Sequence, residues 1–262
     1  MAHPEPGEAS ATLPLPVRRH RLVAEIDRRL RTRCALPAAA TLLLGVSGGA
    51  DSIALLLACI VLRDRSANGR AGRSSVSRPI VAHVHHHLRD DADEDAEFVS
   101  ELCSRFSVPF HLQHVRPGDC GGNIEANARA MRYDAMKQIA RNVGAEHIAV
   151  GHHGEDQLET MLIALCRGAG LDGLSGMAWT RPLAEDVQLV RPMLGMRKSD
   201  CIDLCETASI RWREDPTNLD VDQTRARLRR DVLPVLEELW PDAPRRAGST
   251  GDLLAVAGEA LN

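Results

Sequence analysis

A short apolar run that ends in a pair of glycines constrains the fold more than any other feature of the chain. Residues 42–46 form the run, and the turn after it consists of Ser47, Gly48, Gly49, Ala50, Asp51 and Ser52. Such a run predicts a buried parallel strand that closes in a tight turn, and the apolar residues 53–62 predict a buried helix. The turn would direct backbone N–H groups, two hydroxyls and the positive end of a helix dipole at one point, which suits phosphate.

Asp51 is the unusual residue of this turn, because a carboxylate repels a bare phosphate. A bridging Mg²⁺ would resolve the repulsion. The turn lacks the lysine of the G-x-x-x-x-G-K-[ST] loop and the glycine spacing of G-x-G-x-x-G. It therefore belongs to neither of these phosphate-binding loops. The alternative to a phosphate-binding turn is a tight connection that binds no ligand, and the other motifs have to decide between the two.

The composition is that of an ordinary globular chain. Its 262 residues are 44% hydrophobic, which suits one large domain or one domain with a small appendage. No apolar run approaches the ~20 residues of a membrane span, and the N-terminus lacks the layout of a secretory signal. The net charge of −4 argues against non-specific coating of nucleic acid. Seven scattered cysteines without a C-x-x-C pair disfavour disulfides, structural zinc and Cys-ligated iron–sulfur clusters, and indicate a cytoplasmic protein.

Strands and helices alternate along the chain. Five strands are predicted, near residues 42–46, 79–85, 109–115, 147–151 and 187–190. This order predicts an α/β fold with a doubly wound, mostly parallel, five-stranded sheet. Residues 1–38 would form a proline-rich leader and an N-terminal helix, 39–194 the sheet domain, and 195–262 a small helical C-terminal region. Ligands bind beyond the carboxyl ends of the strands in such sheets, so the segments after strands one, two and four should converge on one site.

The segment 151–160 follows a predicted strand and opens a helix. Helical spacing places His153 and Asp156 on one face, and brings His152, Asp156 and Glu159 into one neighbourhood. An acidic first turn is commonly only a capping device. The functional alternative is a carboxylate cluster that holds Mg²⁺ and orients or deprotonates an amine.

Histidine occupies four of the five positions from 83 to 87. Strand alternation would place His83, His85 and His87 on one face and His86 on the other. A metal site is one interpretation, but the run has no carboxylate or thiolate partner near it in the sequence. Packing or contact with a nucleotide is therefore favoured.

Arginines are concentrated in two stretches, with seven between residues 18 and 33 and four between 225 and 230. Each stretch is either a solvated face or a surface that contacts phosphates. A helix predicted over residues 124–142 also carries arginines, among them Arg132, and arginine suits bidentate contact with carboxylate or phosphate.

Together these stretches resemble the tRNA(Ile)-lysidine synthetase family of PP-loop ATP pyrophosphatases. The matching segments keep the family's order over residues 41–234: S-G-G-A-D-S, H-V-H-H-H-L-R, A-R-A-M-R-Y, G-H-H-G-E-D-Q-L-E-T, R-G-A-G-L-D-G-L-S-G-M, R-P at 191–192, and E-D-P-T-N followed by R-A-R-L-R-R-D-V-L-P. The resemblance implies an enzyme that uses ATP to adenylate the C2 oxygen of the wobble cytidine in the CAU anticodon of tRNA(Ile). The amine of free lysine would then displace AMP to give lysidine, which changes the codon read from AUG to AUA.

The resemblance also implies an ATP site with Mg²⁺ as its cofactor ion. Asp51 and Asp156 would be the ligands of the metal. The residues that would bind the ATP phosphates are Ser47, Gly48, Gly49, Ala50, Asp51 and Ser52. The sheet domain, residues 39–194, would be the PP-loop ATP-binding catalytic domain.

Further residues receive their roles from the same resemblance. Asp156 and Glu159 would face the lysine amine, and Arg132 and Arg225 would contact the lysine carboxylate or the reacting nucleotide. The nucleotide pocket would be lined by His85, His152 and His153.

The chain departs from the usual family pattern at three positions. The family usually has Asp or Asn at the position of His85, Gly at that of His87 and Asn at that of Ala226. Many members also carry further C-terminal domains, which the residues after 241 are too few to form. The sequence does not decide between a monomer and a homodimer.

Two alternatives follow from the motifs. Another PP-loop enzyme, such as a tRNA thiolase or an amidating synthetase, would share the turn, but thiolases with this loop generally have a C-x-x-C pair. A nucleotide-binding module without chemistry would have little use for Asp156 and Glu159 at the mouth of an ATP pocket.

Overall fold

The structure, a computed structural model, describes residues 11–70, 74–87, 92–120, 124–213 and 224–261. A six-stranded sheet runs through its centre in the order β3-β2-β1-β4-β6-β5. The strands are β1 (Ala40–Gly45), β2 (Val76–His85), β3 (Phe110–His114), β4 (His147–Val150), β5 (Thr180–Ala184) and β6 (Val187–Val190). All neighbours are parallel except β5 and β6. The predicted α/β fold with a mostly parallel, doubly wound sheet is confirmed.

The sheet has one strand more than the five predicted. The additional strand, β5, pairs antiparallel with β6 at the edge of the sheet. It contains Pro182, and none of its residues is fully buried. Proline within a run is a signal against a strand, and tolerance of proline is a property of edge strands. The pattern therefore gave no apolar run from which β5 could have been predicted.

Helices cover both faces of the sheet. In the first two thirds of the chain they are α1 (Leu15–Arg18), α2 (Arg21–Thr32), α3 (Ala50–Arg65), α4 (Ala92–Arg105), α5 (Ile124–Val143), α6 (Gly154–Cys166) and α7 (Leu171–Leu174). The C-terminal part contains α8 (Lys198–Thr207), α9 (Thr224–Arg227), a π-helical turn (Leu228–Val232), α10 (Leu233–Leu239) and α11 (Ala243–Leu261). None of the helices among the described residues is both long and apolar enough to cross a bilayer.

Two helical features differ from the sequence-based expectation. Within the predicted helical C-terminal region, a continuous helical stretch from Thr224 to Leu239 contains the π-helical turn. Helix α11 was not predicted as a separate element. It packs against α6 and α7, and Trp179 donates its indole N–H to Oδ1 of Asp252 at 2.6 Å.

Helix α3 is the centre of the larger core. Its residues from Ser52 to Leu62 are all buried, because α2 and α8 cover the side that faces away from the sheet. The opposite face of the sheet packs on α5, through a smaller cluster that includes Leu43, Ile148 and Met136. Apolar burial of this kind stabilises by roughly 25 cal/mol per Å². The packing fixes the start of α3, and with it the turn that follows β1.

The chain reverses direction across the sheet at β1, which pairs with β2 on one side and β4 on the other. The helices that follow these strands begin at the same edge. This is the switch point at which doubly wound sheets bind ligands, and the structure places both the turn after β1 and the start of α6 there.

Candidate active site

The turn between β1 and α3 is braced by one hydroxyl. Oγ of Ser52 accepts the amides of Ser47 and Gly48, both at 3.2 Å, and donates to the carbonyl oxygen of Gly49 at 2.9 Å. Gly48 has φ +99°, a conformation that favours glycine. The Ser52 hydroxyl therefore makes its hydrogen bonds within the turn, whereas the sequence predicts that it faces phosphate.

The start of α3 has the properties of an anion site. Gly49 is the N-cap and has no side chain with which to cap the first amides of the helix. These amides have no partner within the helix, and the helix dipole adds positive potential at the same point. The backbone of β4 approaches closely, since a Cβ on Gly151 would lie 3.0 Å from the carbonyl carbon of Asp51. Phosphate oxygens fit this arrangement.

His153 joins the turn to helix α6. Its Nε2 lies 3.4 Å from Oδ2 of Asp51 and 3.6 Å from Oδ2 of Asp156, and its Nδ1 lies 2.9 Å from Oε2 of Glu155. Asp156 also accepts the His153 amide at 3.0 Å, which caps α6. The Asp156 carboxylate thus caps α6 and is also a member of the carboxylate cluster, so the two interpretations of the sequence hold together.

The charges of this group are strongly coupled. Burial by itself would lower the pKa of His153, but Asp156 and Asp51 raise that pKa well above its ordinary value and favour the imidazolium. Burial would likewise raise the pKa of Asp156, but His153 and the other positive groups around it hold that pKa at about 2. In contrast, Oδ1 of Asp51 is buried and has no hydrogen-bond partner among the described residues. This oxygen is available to a ligand.

The side chain of Arg229 lies on the other side of the carboxylate cluster and binds both of its carboxylates. Arg229 donates through Nε to Oε1 of Glu159 at 2.5 Å and through Nη2 to Oδ1 of Asp156 at 2.9 Å. Glu159 is fully buried, and burial raises its pKa although Arg229 opposes the shift. Arg225, four residues earlier, donates to Oγ1 of Thr160 at 3.3 Å. The structure therefore brings Arg225 and Arg229 to the same face of α6.

A group of arginines lies beside His152. Arg191 is 3% exposed and donates through Nε to Nδ1 of His152 at 3.2 Å. Burial lowers the pKa of His152 to about 3; Asp156 opposes this shift, whereas Arg191 and two further arginines reinforce it. The ring is therefore neutral and can accept the hydrogen bond from Arg191. Arg132 lies with its guanidinium carbon 5.5 Å from the ring centre of Tyr133. Burial lowers the pKa of Arg132 as well. Concentrated, partly buried positive charge of this kind favours an anionic ligand.

Three residues at the site were missed by the sequence analysis or given another place. Arg229 was assigned only to a basic stretch, and its contacts with α6 span about seventy residues of sequence. Glu155 accepts the amide of Lys198 at 3.0 Å and so anchors the start of α8. Arg191 had been noted only as part of an R-P pair. Only the proximity of these segments in the fold reveals their roles.

His85 lies at the end of β2, the strand that pairs in parallel with β1. Its ring contacts those of His87 and His114, with centroids 4.1 and 5.1 Å away. His83 is buried, and its Nδ1 lies 2.8 Å from the carbonyl oxygen of Val46. Contact of His85 with a nucleotide stays a prediction.

The first arginine-rich stretch is largely neutralised within the fold. Five of its seven arginines form ion pairs with carboxylates, namely Arg21–Asp200, Arg28–Glu25, Arg29–Glu25, Arg31–Asp27 and Arg33–Asp252. These pairs reduce the positive charge that the stretch can offer to phosphates.

Some predicted segments lie outside the described residues. They are residues 1–10 of the leader, residues 88–89 of the histidine-containing motif, and 214–218, the E-D-P-T-N segment.

The turn after β1, the switch point and the neighbouring start of α6 define a nucleotide-binding α/β protein, and residues 22–236 match the family model of the PP-loop domain. PP-loop proteins utilise ATP. A solved structure with the same fold is the U34-tRNA thiolase NcsA from Methanococcus maripaludis with its [4Fe-4S] cluster. The likeness has a TM-score of 0.68 at 15% identity and covers 89% of this chain and 78% of that one.

Curated relatives narrow the class. The chain is 34% identical over 241 residues to the tRNA(Ile)-lysidine synthase of Nostoc sp., which covers 92% of this chain and 67% of the relative. It is 35% identical over 244 residues to the enzyme of the same name from Gloeobacter violaceus, with 91% and 71% covered. It is 36% identical over 224 residues to the Bacillus cereus enzyme, with 84% and 45% covered. The chain belongs to the tRNA(Ile)-lysidine synthase family of PP-loop proteins.

Proposed function

We propose that this protein uses ATP to ligate free lysine to C2 of the wobble cytidine in the CAU anticodon of tRNA(Ile). Family membership supports the reaction. We call residues 47–52 the phosphate turn, and Asp156 with Glu159 the carboxylate cluster. The observation that supports the reaction within this chain is the position of His153, which lies within 3.6 Å of both Asp51 in the turn and Asp156 in the cluster. The turn after β1 and the carboxylate cluster are thus adjacent, which supports two successive reactions at one nucleotide.

The turn would bind the ATP phosphates. The uncapped amides at the start of α3 would face the phosphate oxygens, and Gly48 and Gly49 allow the backbone to approach them. Mg²⁺ fits at Asp51, because one of its carboxylate oxygens is buried and without a partner among the described residues. When bound, the ion would neutralise phosphate charge that Asp51 otherwise repels. Asp156 would complete the metal site only if Arg229 and His153 release it, because both of its oxygens have partners.

In the first reaction the C2 oxygen of the cytidine would attack the α-phosphorus of ATP, and pyrophosphate would leave. The imidazolium of His153 is placed beside the turn, where its positive charge would stabilise the charge that develops on the phosphates. In the second reaction the lysine amine would attack C2, and AMP would leave.

The amine of lysine must lose protons during this second reaction. Glu159 is the better candidate base, because burial raises its pKa, whereas the pKa of Asp156 is held at about 2. In the present structure Glu159 is bound to Arg229. We expect the incoming ammonium group to replace that guanidinium, since both are cations that donate hydrogen bonds to the same carboxylate.

The lysine carboxylate or a tRNA phosphate would bind the group of arginines beside His152. Arg132 and Arg191 supply positive charge, and His152 is neutral and accepts the hydrogen bond from Arg191. Arg225 would contact the reacting groups from the opposite side, through the face that now donates to Thr160.

The partners proposed are tRNA(Ile) and free lysine, and the oligomeric state is left open. The chain spans 67% of the Nostoc relative and 45% of the Bacillus cereus relative.

The test is incorporation of labelled lysine into unmodified tRNA(Ile) transcript in the presence of ATP and Mg²⁺. We expect one AMP and one pyrophosphate for each lysine incorporated. A transcript with guanosine at the wobble position is the matched control, because guanine has no oxygen at C2, and it should incorporate no lysine.

Other results would overturn the proposal. Incorporation into both transcripts, or pyrophosphate release with no lysine in the tRNA at any lysine concentration, would exclude lysidine formation. Sulfur incorporation would favour a thiolase, and ATP binding without turnover would favour a binding module.

A further inference from the structure

Three histidines meet at the edge of the sheet, outside the phosphate turn and the carboxylate cluster. His85 ends β2, His114 ends β3 and is its register partner, and His87 lies two residues after β2. One ring nitrogen of each histidine lies within 4.8 Å of those of the other two. We call these three residues the histidine cluster.

The separations are close to those of a metal site. Nε2 of His87 and Nδ1 of His114 are 2.9 Å apart. Zinc binds imidazole nitrogen at about 2.0–2.1 Å, so two nitrogens in a tetrahedral site are roughly 3.4 Å apart. That pair would have to open by only a few tenths of an ångström. A hydrogen bond between the two imidazoles is the alternative account of this pair.

His85 supplies the buried member of the cluster. Its Nε2 is buried and makes no hydrogen bond within the described part of the chain, although Oδ1 of Asp93 lies 3.0 Å away. A carboxylate beside one ring nitrogen of a histidine is the common arrangement that orients the other nitrogen toward a metal. In His85 the other nitrogen is Nδ1, which accepts a hydrogen bond from the His87 amide at 3.2 Å and would exchange that bond for the ion. Asp93 is a carboxylate partner of the histidines, so the expectation that none lies near them is wrong.

The backbone of His87 is held in an unfavourable conformation. Its φ is +52°, in the left-handed region that favours glycine, and its amide donates to Nδ1 of His85 at 3.2 Å. Non-glycine residues in this region cost about 1 kcal/mol or more. The strained backbone holds the His87 ring beside the other two rings.

We propose that His85, His87 and His114 bind a divalent transition metal of the zinc, cobalt and nickel class. Imidazole nitrogen suits these ions, whereas Mg²⁺ prefers oxygen ligands, so this site is chemically distinct from the one proposed at Asp51. Three protein ligands leave a fourth tetrahedral position for water or another ligand atom. The ion would connect the end of β2 to the edge strand β3.

The test uses the untagged full-length chain, stripped of metal with a chelator and titrated with Co²⁺. A Cys166→Ser background removes an exposed thiol that could compete for the ion. We expect one tetrahedral Co²⁺ per chain by visible absorption, displaced by Zn²⁺ but not by excess Mg²⁺. Zn²⁺ should also raise the melting temperature, because it binds only the folded state.

Two variants remove ligands with little risk to the fold. His114 is exposed, so His114→Ala should fold, and His87→Gly also relieves the positive φ. Each should weaken Co²⁺ binding by at least about 100-fold, since changes in the outer shell alone already cost 10–100-fold. His111→Ala, three residues earlier on the same strand, should bind as the parent does.

The proposal is overturned if the parent binds no Co²⁺ at stoichiometric concentration. It is equally overturned if binding survives in both His114→Ala and His87→Gly, or if His111→Ala loses it to the same extent. These readouts do not depend on lysidine formation, so the two proposals can fail independently.

Discussion

The phosphate turn and the carboxylate cluster lie side by side, but they are built in opposite ways. The turn is local, because Ser52 holds the amides of Ser47 and Gly48 within six residues of sequence. The carboxylate cluster is assembled, since Asp156 and Glu159 share Arg229 from a segment about seventy residues later. A local turn is recognisable from its residues, whereas an assembled cluster needs the fold before its partners are known.

The difference extends to electrostatics. The turn leaves one oxygen of Asp51 without a partner among the described residues, while the carboxylates of α6 are compensated by Arg229 and His153. In the proposed reaction the turn would take a cation together with its phosphate ligand. The carboxylate cluster would exchange the Arg229 guanidinium for the lysine ammonium before it acts on the amine.

Replacing Glu159 by Gln should have the largest effect, and only on the second reaction. Loss of a general base commonly costs about 10²–10⁴ in rate, so lysine transfer should fall by that factor. Adenylation of the tRNA should continue, because the turn is unchanged. Rapid-quench measurement of adenylated tRNA and of lysidine separates the two steps. An equal fall in both would assign Glu159 to metal or nucleotide binding.

Asp51→Asn should slow the first reaction instead. Removal of one charge-stabilising group typically costs about 10²–10³ in rate, and here pyrophosphate release should fall by that factor. The midpoint of urea unfolding should decrease as well, since Oδ2 of Asp51 lies 3.4 Å from Nε2 of His153 and the substitution removes the charge that faces the imidazolium. Normal pyrophosphate release at saturating Mg²⁺ would contradict the proposed metal contact.

Gly48→Ala should lower stability and ATP affinity together. A side chain at φ +99° costs about 1–2 kcal/mol in the free energy of unfolding. Gly144→Ala is the matched control, because Gly144 also has positive φ, at +69°, and nothing lies within 4 Å of its added Cβ. Both variants should be destabilised in urea titrations, but only Gly48→Ala should bind ATP more weakly by calorimetry. Equal ATP affinity in the two would mean that the turn does not bind phosphate.

The smallest effect concerns the link between the two regions. The pKa of His153 is raised above its ordinary value of 6.5. The protonated His153 therefore stabilises the folded state fully below the unfolded-state pKa. This contribution to the free energy of unfolding is lost as pH rises through the folded-state pKa, by up to about 1.4 kcal/mol per pH unit. The difference in unfolding free energy between the parent and His153→Gln should shrink as pH increases from 6 to 9.

His147→Gln provides the contrast for that measurement. Burial lowers the pKa of His147, so its protonation disfavours the folded state. The difference between the parent and this variant should change in the opposite direction with pH. If both variants show the same pH dependence, His153 is not the ionic link between the turn and the cluster.

The fold was predictable wherever a segment's own pattern decides its structure. The apolar run of β1, the glycine turn and the apolar helix α3 were all readable, because burial on both sides of a parallel sheet requires continuous apolar sequence. Helix α11 was not readable, because it contains several glycines. One of them, Gly251, lies where an added Cβ would come 2.6 Å from the carbonyl oxygen of Ser175. The close packing that needs these glycines weakens the helix signal.

The sequence by itself determined the phosphate turn, the alternating order of the sheet and the position of Asp156 and Glu159 on one helix. Each of these depends on contacts between residues that are near in the chain. Only the tertiary structure decided that Arg229 binds those carboxylates and that His114 joins His85 and His87. These contacts arise because packing and sheet register, rather than spacing along the chain, set which polar groups meet.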